Sequence, residues 1–359
     1  MRFSVYVTRM RVPSSATALL LTLVVSSLTA RAQMAPSPDA PPVSNAPAAP
    51  PEDQSVATFK IEVNLVDLFF TVKDKNGNLV PHLTQNDCHV SEDKVPQTLK
   101  HFVAETSQPL TLGILLDTSG SQQRVLPLEQ DAGGQFLRQV LRQKDEAFLL
   151  SFDVNIDLLQ DYTNNASQLA HAMNKAEINT AGGNGSGIPG LGGGPVPIHG
   201  TPKGTLLYDA IYEASNKKMD QETGRKAMII LTDGEDEGSD HKIGEAIAAA
   251  EKNNVIVYVI LIADTGFYGG FGYSGYSAAK RISDETGGRL INVGNNGNKL
   301  EAAFQQIADE LRTQYVASYT STNTKLDGTF RRIALNCGED TKVQVRKGYF
   351  APSSGNSGN

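Results

Sequence analysis

The stretch LTLGILLDTSGS, residues 110–121, decides the predicted fold. Its first seven residues are mostly apolar, which is typical of a strand that is buried on both faces of a parallel sheet. The run stops at Asp117 and is followed by four small residues, TSGS. A second apolar stretch, KAMIILTD at 226–233, ends in the same way at Asp233. Two buried strands that both end in a carboxylate indicate a polar site at one edge of the sheet.

Strands and helices alternate around these two stretches, over about residues 108–312. Apolar strands separated by amphipathic helices predict an α/β fold with a doubly wound, mainly parallel sheet that helices cover on both faces. The segments on either side, 55–107 and 313–351, are rich in β-branched and aromatic residues and predict further strands. We expect the two flanks to form one β-sandwich, into which the α/β domain is inserted.

The beginning of the chain has the pattern of a secretory signal peptide, residues 1–32. Three arginines precede the apolar run ATALLLTLVVSSL, and an Ala-Arg-Ala sequence follows it. An uncleaved anchor is the alternative, but the run is shorter than the roughly 20 residues that a spanning helix needs. We therefore expect an exported protein, periplasmic, secreted or at the cell surface, without a transmembrane segment after cleavage. A Pro/Ala-rich linker is expected at 33–54 and a disordered tail at 352–359.

Charge and cysteine content exclude several classes of partner and site. Loss of the signal peptide removes four arginines and no acid, which changes the formal net charge from -7 to -11. Such a surface repels nucleic acid, so no nucleic-acid partner is expected. The only cysteines are Cys88 and Cys337, which excludes a thiol-rich metal site. Export permits a disulfide between them, and two separate buried thiols are the alternative.

Hydroxyl and carboxylate side chains are predicted to meet at the carboxyl edge of the sheet, where ligands bind in doubly wound folds. This set consists of Asp117, Ser119, Ser121, Thr205 and Asp233. It contains only oxygen ligands, which suits Mg²⁺ or Mn²⁺, with water completing the octahedral coordination. Taken singly, such residues are also ordinary turn and helix-capping residues. The complete set, spread over separate segments, favours a metal site.

The same five residues carry a resemblance to a known family. Over roughly residues 108–312 the chain resembles von Willebrand factor type A (VWA) domains, whose metal-ion-dependent adhesion site has the pattern Asp-x-Ser-x-Ser, Thr and Asp. The flanks are similar to the exported VWA-related proteins common in Acidobacteria. The resemblance implies direct contact of the two serines with a Mg²⁺ ion. One departure is Cys88, where that family generally has Phe, which favours a buried, unpaired thiol and leaves the disulfide open.

The resemblance implies an exported adhesion or interaction module rather than an enzyme. An Asp or Glu carboxylate of a protein partner would complete the coordination of the ion. A metal-dependent hydrolase is one alternative, but the sequence beside the motif offers no general base. A structural protein of the cell envelope, with a metal that only stiffens the fold, is another.

Overall fold

The computed structural model describes residues 65–104, 108–179, 204–263 and 275–353. The chain divides into two units, Met1–Lys60 and Ile61–Asn359, and all described residues belong to the second. The predicted signal peptide, the linker and residues 354–359 of the predicted tail lie outside them. In the part of the chain that the structure describes, no helix has both the length and the apolar character needed to cross a bilayer.

The regular elements follow one another as two sets of sandwich strands with an α/β region between them. The strands are β1 (Leu65–Asp74), β2 (His89–Glu92), β3 (Val95–Gln97), β4 (Leu99–Ala104), β5 (Leu110–Asp117), β6 (Glu146–Phe152), β7 (Ile156–Thr163), β8 (Arg225–Thr232), β9 (Val255–Leu261), β10 (Leu290–Asn292), β11 (Tyr315–Thr320), β12 (Phe330–Asn336), β13 (Thr341–Gln344) and β14 (Gly348–Phe350). The α-helices are α1 (Leu126–Val140), α2 (Ala166–Met173), α3 (Leu207–Glu213), α4 (Ile243–Lys252), α5 (Gly275–Thr286) and α6 (Gly297–Arg312).

The central sheet has six strands in the order β10-β9-β8-β5-β6-β7. All neighbouring pairs are parallel except β6 and β7, which are antiparallel. Every residue of β5, β8 and β9 is buried, as expected for strands that are covered on both faces. The predicted α/β class is confirmed: a mainly parallel sheet is flanked by antiparallel sheets.

Helices cover both faces of this sheet and create two hydrophobic cores. Helices α1, α2 and α6 contribute to one core, together with Leu112, Ile114 and Leu116 of β5. Helices α3, α4 and α5 contribute to the other, together with Leu115 of the same strand. The alternation along β5 follows from the two-residue period of a strand. Because helices cover both faces of the sheet with apolar side chains, a polar site can form only at the ends of the strands.

The flanking strands form two antiparallel sheets of four strands each, in the orders β13-β1-β11-β4 and β14-β12-β2-β3. Each sheet combines strands from before and after the α/β region, since β1 pairs with β11 and β2 pairs with β12. One core lies between the sheets and includes Phe70, Val90, Tyr319 and Ile333. The flanks therefore form a sandwich, and the α/β region lies between its two halves in the sequence.

The two cysteines are joined in a disulfide bond. Cys88 and Cys337 have Cα atoms 4.0 Å apart and are each 3% exposed. The expectation that Cys88 is buried agrees with the structure, whereas the interpretation as an unpaired thiol is wrong. The strand pair β2 and β12 places His89 opposite Asn336, so the residues just outside that pair meet. The bond links the two flanks within the sandwich.

Candidate metal centre

Two of the predicted ligands lie at the point where the sheet reverses its winding. Asp117 is the last residue of β5, and Asp233 directly follows β8. The two strands are parallel neighbours, with Leu116 opposite Leu231. From β5 the chain continues to β6 on one side and later returns to β8 on the other. Crevices at such a switch point are where open α/β sheets bind ligands.

Asp117 is the centre of a hydrogen-bonded cluster and is fully buried. Its Oδ1 accepts hydrogen bonds from the hydroxyl of Ser119 at 2.5 Å and from the backbone N–H of Ser119 at 3.0 Å. Its Oδ2 accepts a bond from the hydroxyl of Thr232 at 2.6 Å. The hydroxyls of Ser119 and Ser121 lie 3.1 Å apart. The structure thus brings Asp117, Ser119 and Ser121 together through direct contacts.

The loop that carries Asp233 has a backbone conformation that requires glycine at the next position. Asp233 is 2% exposed, and its Oδ1 accepts a hydrogen bond from the N–H of Glu235 at 3.1 Å. Gly234 has a φ of +83°, and a Cβ there would lie 2.5 Å from the carbonyl oxygen of Gly275. The N–H of Gly234 donates to Thr232 Oγ1 at 3.0 Å. The Thr232 hydroxyl therefore connects this loop to the Asp117 carboxylate, a link that the sequence analysis missed.

Thr205 lies at the same edge, two residues before α3 begins, and is 7% exposed. Its backbone pairs with that of Glu237: the N–H of Glu237 donates to the Thr205 carbonyl at 2.8 Å, and the N–H of Thr205 donates back at 3.2 Å. This bridge holds Thr205 against the segment that follows Asp233. Among the described residues, Thr205 and Asp117 do not share a hydrogen bond.

Asp153 joins the loop after β5 to the segment that carries Thr205. The sequence did not lead us to predict this role. Asp153 directly follows β6 and is 6% exposed. Its Oδ2 accepts a hydrogen bond from the Thr118 hydroxyl at 2.7 Å, and its Oδ1 accepts one from Asn179 Nδ2 at 2.9 Å. Its carbonyl oxygen accepts the N–H of Leu206 at 2.9 Å. Asp153 thus ties the loop after β5 to the residue that follows Thr205. An acid at the end of a third apolar strand was the available signal.

Burial and like charge shape the electrostatics of the cluster. Burial, and after it the nearby charge of Asp233, raise the pKa of Asp117 to about 7, against the lowering effect of the hydrogen bonds from Ser119 and Thr232. The negative charge of Asp233 disfavours the ionised form of Asp117. A divalent cation between the two aspartates would remove that penalty, because its positive charge favours the ionised form of Asp117.

Comparisons with known proteins give structural likeness without close sequence similarity. No protein-family model matches the chain, and the search of curated proteins gives no match. A von Willebrand factor type A protein from Catenulispora acidiphila is 10% identical, with a TM-score of 0.44 over 82% of this chain and 76% of that one. The BatB protein from Bacteroides thetaiotaomicron is 18% identical, with a TM-score of 0.41 over 56% of this chain and 99% of that one.

Proximal thread matrix protein 1 from the mussel byssus, in a structure with a zinc-occupied MIDAS motif, is 14% identical and has a TM-score of 0.45. That match covers 62% of this chain and 50% of the mussel protein. At these identities and TM-scores, none of the three matches indicates what this chain binds.

The geometry of the cluster fits a small, octahedral cation. Mg²⁺ binds oxygen ligands at about 2.1 Å, so two adjacent ligands of its octahedron lie about 3.0 Å apart. The hydroxyls of Ser119 and Ser121 are separated by 3.1 Å, which allows both to bind one ion. Among the described residues, no group of three or more His, Cys, Asp or Glu side chains could hold a metal. The predicted site differs from such a group, because its five ligands are two carboxylates and three hydroxyls.

Proposed function

We propose that this protein is an exported, metal-dependent protein-binding module. One Mg²⁺ or Mn²⁺ ion would be held at the carboxyl edge of the central sheet by the five residues Asp117, Ser119, Ser121, Thr205 and Asp233. A coordination position left by the protein would be filled by the carboxylate of an Asp or Glu side chain on a partner. The activity proposed is binding and not hydrolysis.

The observation that carries the proposal is the buried cluster around Asp117. Its carboxylate accepts hydrogen bonds from the hydroxyl and the backbone N–H of Ser119 and from the hydroxyl of Thr232, so the loop after β5 is fixed relative to β8. Hard oxygen ligands held in place by secondary hydrogen bonds are what a Mg²⁺ site requires. A partner's carboxylate is the complementary ligand, because a cation balanced by two carboxylates still accepts a further oxygen ligand.

Isothermal titration calorimetry tests the metal site directly. We expect wild-type protein to bind one Mg²⁺ or Mn²⁺ ion, and Asp117→Asn and Asp233→Asn each to weaken binding about 100-fold or more, because each removes a charged ligand from a buried site. Asparagine has nearly the size of aspartate, so the fold should be retained. Circular dichroism on each variant checks this.

Asp145→Asn is the matched control. Asp145 is also a buried acid, 5% exposed, but its carboxylate accepts the backbone N–H of Leu110 at 2.9 Å, at the opposite end of β5. Its substitution should leave the affinity for Mg²⁺ unchanged. A folded wild-type protein that gives no binding heat with either ion would overturn the proposal. If wild type binds the ion, the proposed partner binding is tested next: capture of a partner protein should require Mg²⁺ and should be reversed by EDTA.

A further inference from the structure

Glu129 is a fully buried acid that makes no side-chain hydrogen bond within the part of the chain that the structure describes. It lies in the first turn of α1 and has 0% of its surface exposed. Among the described residues, neither of its carboxylate oxygens has a hydrogen-bond partner. Leaving a buried polar atom unsatisfied costs about 1–3 kcal/mol, and more for a charged group. Such an acid in a native fold calls for a specific explanation, and an ordered water or a bound ion that its oxygens contact is one.

A second acceptor of the same kind lies seven residues earlier. Gln122 is 1% exposed, and within the described part of the chain its Oε1 has no hydrogen-bond partner. Its Nε2 lies 3.5 Å from the hydroxyl of Ser121, one of the predicted ligands. Gln122 and Glu129 thus add three buried acceptor oxygens to the segment that begins with the serine loop. Acceptors of this kind are satisfied by the hydrogens of water.

The charges of the two aspartates act on Glu129. Burial raises the pKa of Glu129 well above its ordinary value, and the charges of Asp117 and Asp233 raise it further. All three effects act in the same direction, so the ionised form of Glu129 is costly in the metal-free protein. A divalent cation bound by the two aspartates acts in the opposite direction.

We propose that Glu129 is a third carboxylate of the metal site, which binds the cation through an ordered water, with Gln122 accepting from the same layer of water. This rests on the proposed function. A water-mediated role agrees with the absence, among the described residues, of three acids close enough to hold an ion directly. Mg²⁺ gives up its water reluctantly and keeps several water molecules when it binds to proteins. Each such water has hydrogens to donate, and carboxylates that accept them tune the affinity.

The test is calorimetric titration of Mg²⁺ into wild type, Glu129→Gln and Gln122→Met. Glutamine has the size of a protonated glutamate but cannot ionise. We expect the Kd of Glu129→Gln to rise about tenfold or more, which is typical when an outer ligand is removed. For Gln122→Met we expect a smaller rise, about threefold, because only a neutral acceptor is lost. The stoichiometry should stay at one ion.

Glu251→Gln is the control, because it removes another buried acid. Glu251 is 5% exposed, at the C-terminal end of α4, and burial raises its pKa to about 8. Its substitution should not change the Kd for Mg²⁺. Equal Kd values for wild type, Glu129→Gln and Gln122→Met would overturn this inference and leave the proposed function standing. A folded wild type that binds no ion would overturn both.

Discussion

Replacing Arg331 by methionine is expected to lower the free energy of unfolding by about 3–5 kcal/mol, the usual cost of breaking a buried ion pair from one side. Arg331 lies on β12 and is 1% exposed. Its guanidinium lies 3.4 Å from the carboxylate of Glu92 and donates to Ser321 Oγ at 3.2 Å and to the carbonyl of Asn323 at 2.6 Å. Methionine has a side chain that is also long and unbranched, but it carries no charge, so Glu92 is left buried without a positive partner.

The effect should be large because Glu92 connects both sheets of the sandwich. Its carboxylate accepts hydrogen bonds from the hydroxyls of Tyr319 at 2.8 Å, Tyr349 at 3.0 Å and Ser321 at 2.7 Å. Burial raises the pKa of both tyrosines, which keeps their hydroxyls protonated as donors. Tyr319 belongs to one sheet, whereas Glu92 and Tyr349 belong to the other. A change at this network therefore weakens the contact between the sheets.

Urea denaturation followed by circular dichroism measures this change. Arg332→Met is the matched control, since Arg332 is the next residue on β12 and is exposed. Surface substitutions of this kind usually change stability by less than about 0.5 kcal/mol. Equal unfolding midpoints for the two variants would contradict the assigned role of Arg331.

Loss of the disulfide is expected to have an effect of similar size. The double substitution Cys88→Ala and Cys337→Ala should lower the free energy of unfolding by about 3–5 kcal/mol, because the bond closes a very long loop in the unfolded chain. The two cysteines are separated by 249 residues in the sequence. In the chain-entropy account, the stabilisation grows with the logarithm of that length.

Reduction provides the control for this prediction. A reducing agent should lower the unfolding midpoint of wild type to a value near that of the double variant, and should leave the double variant itself unchanged. In the unreduced, denatured protein neither cysteine should react with an alkylating agent. Alkylation of both thiols under those conditions, or equal midpoints with and without reductant, would show that the bond does not form.

The central sheet could be predicted because burial on both faces leaves a direct mark on the sequence. Strands β5, β8 and β9 are buried at every position, so most of their residues are apolar, and each apolar run is long enough to recognise. The positions of Asp117 and Asp233 follow from the same pattern, since each comes at the end of such a run. The antiparallel direction of β7 was not predicted, because strand direction is set by the connection and the pairing partner.

Glu129 shows how a signal in the sequence can be overlooked. The buried residues of α1 include Leu126, Gly133, Phe136 and Val140, and Glu129 falls on the same face at helical spacing. An acid on a buried helical face indicates a special environment. What that environment is could not be inferred, because it depends in part on Asp233, which follows β8 and lies far from Glu129 in the sequence.

Local patterns in the sequence were enough to predict the buried strands, the helices that alternate with them, and the polar residues at the ends of two strands. These features follow from local periodicity, which each segment carries on its own. Three contacts became apparent only in the folded chain: Cys88 is bonded to Cys337, Asp153 ties Thr118 to the loop before α3, and Arg331 lies buried beside Glu92. Each of these contacts depends on the register and packing of segments that are far apart in the chain, and pairings between distant segments leave no periodic pattern in a single sequence.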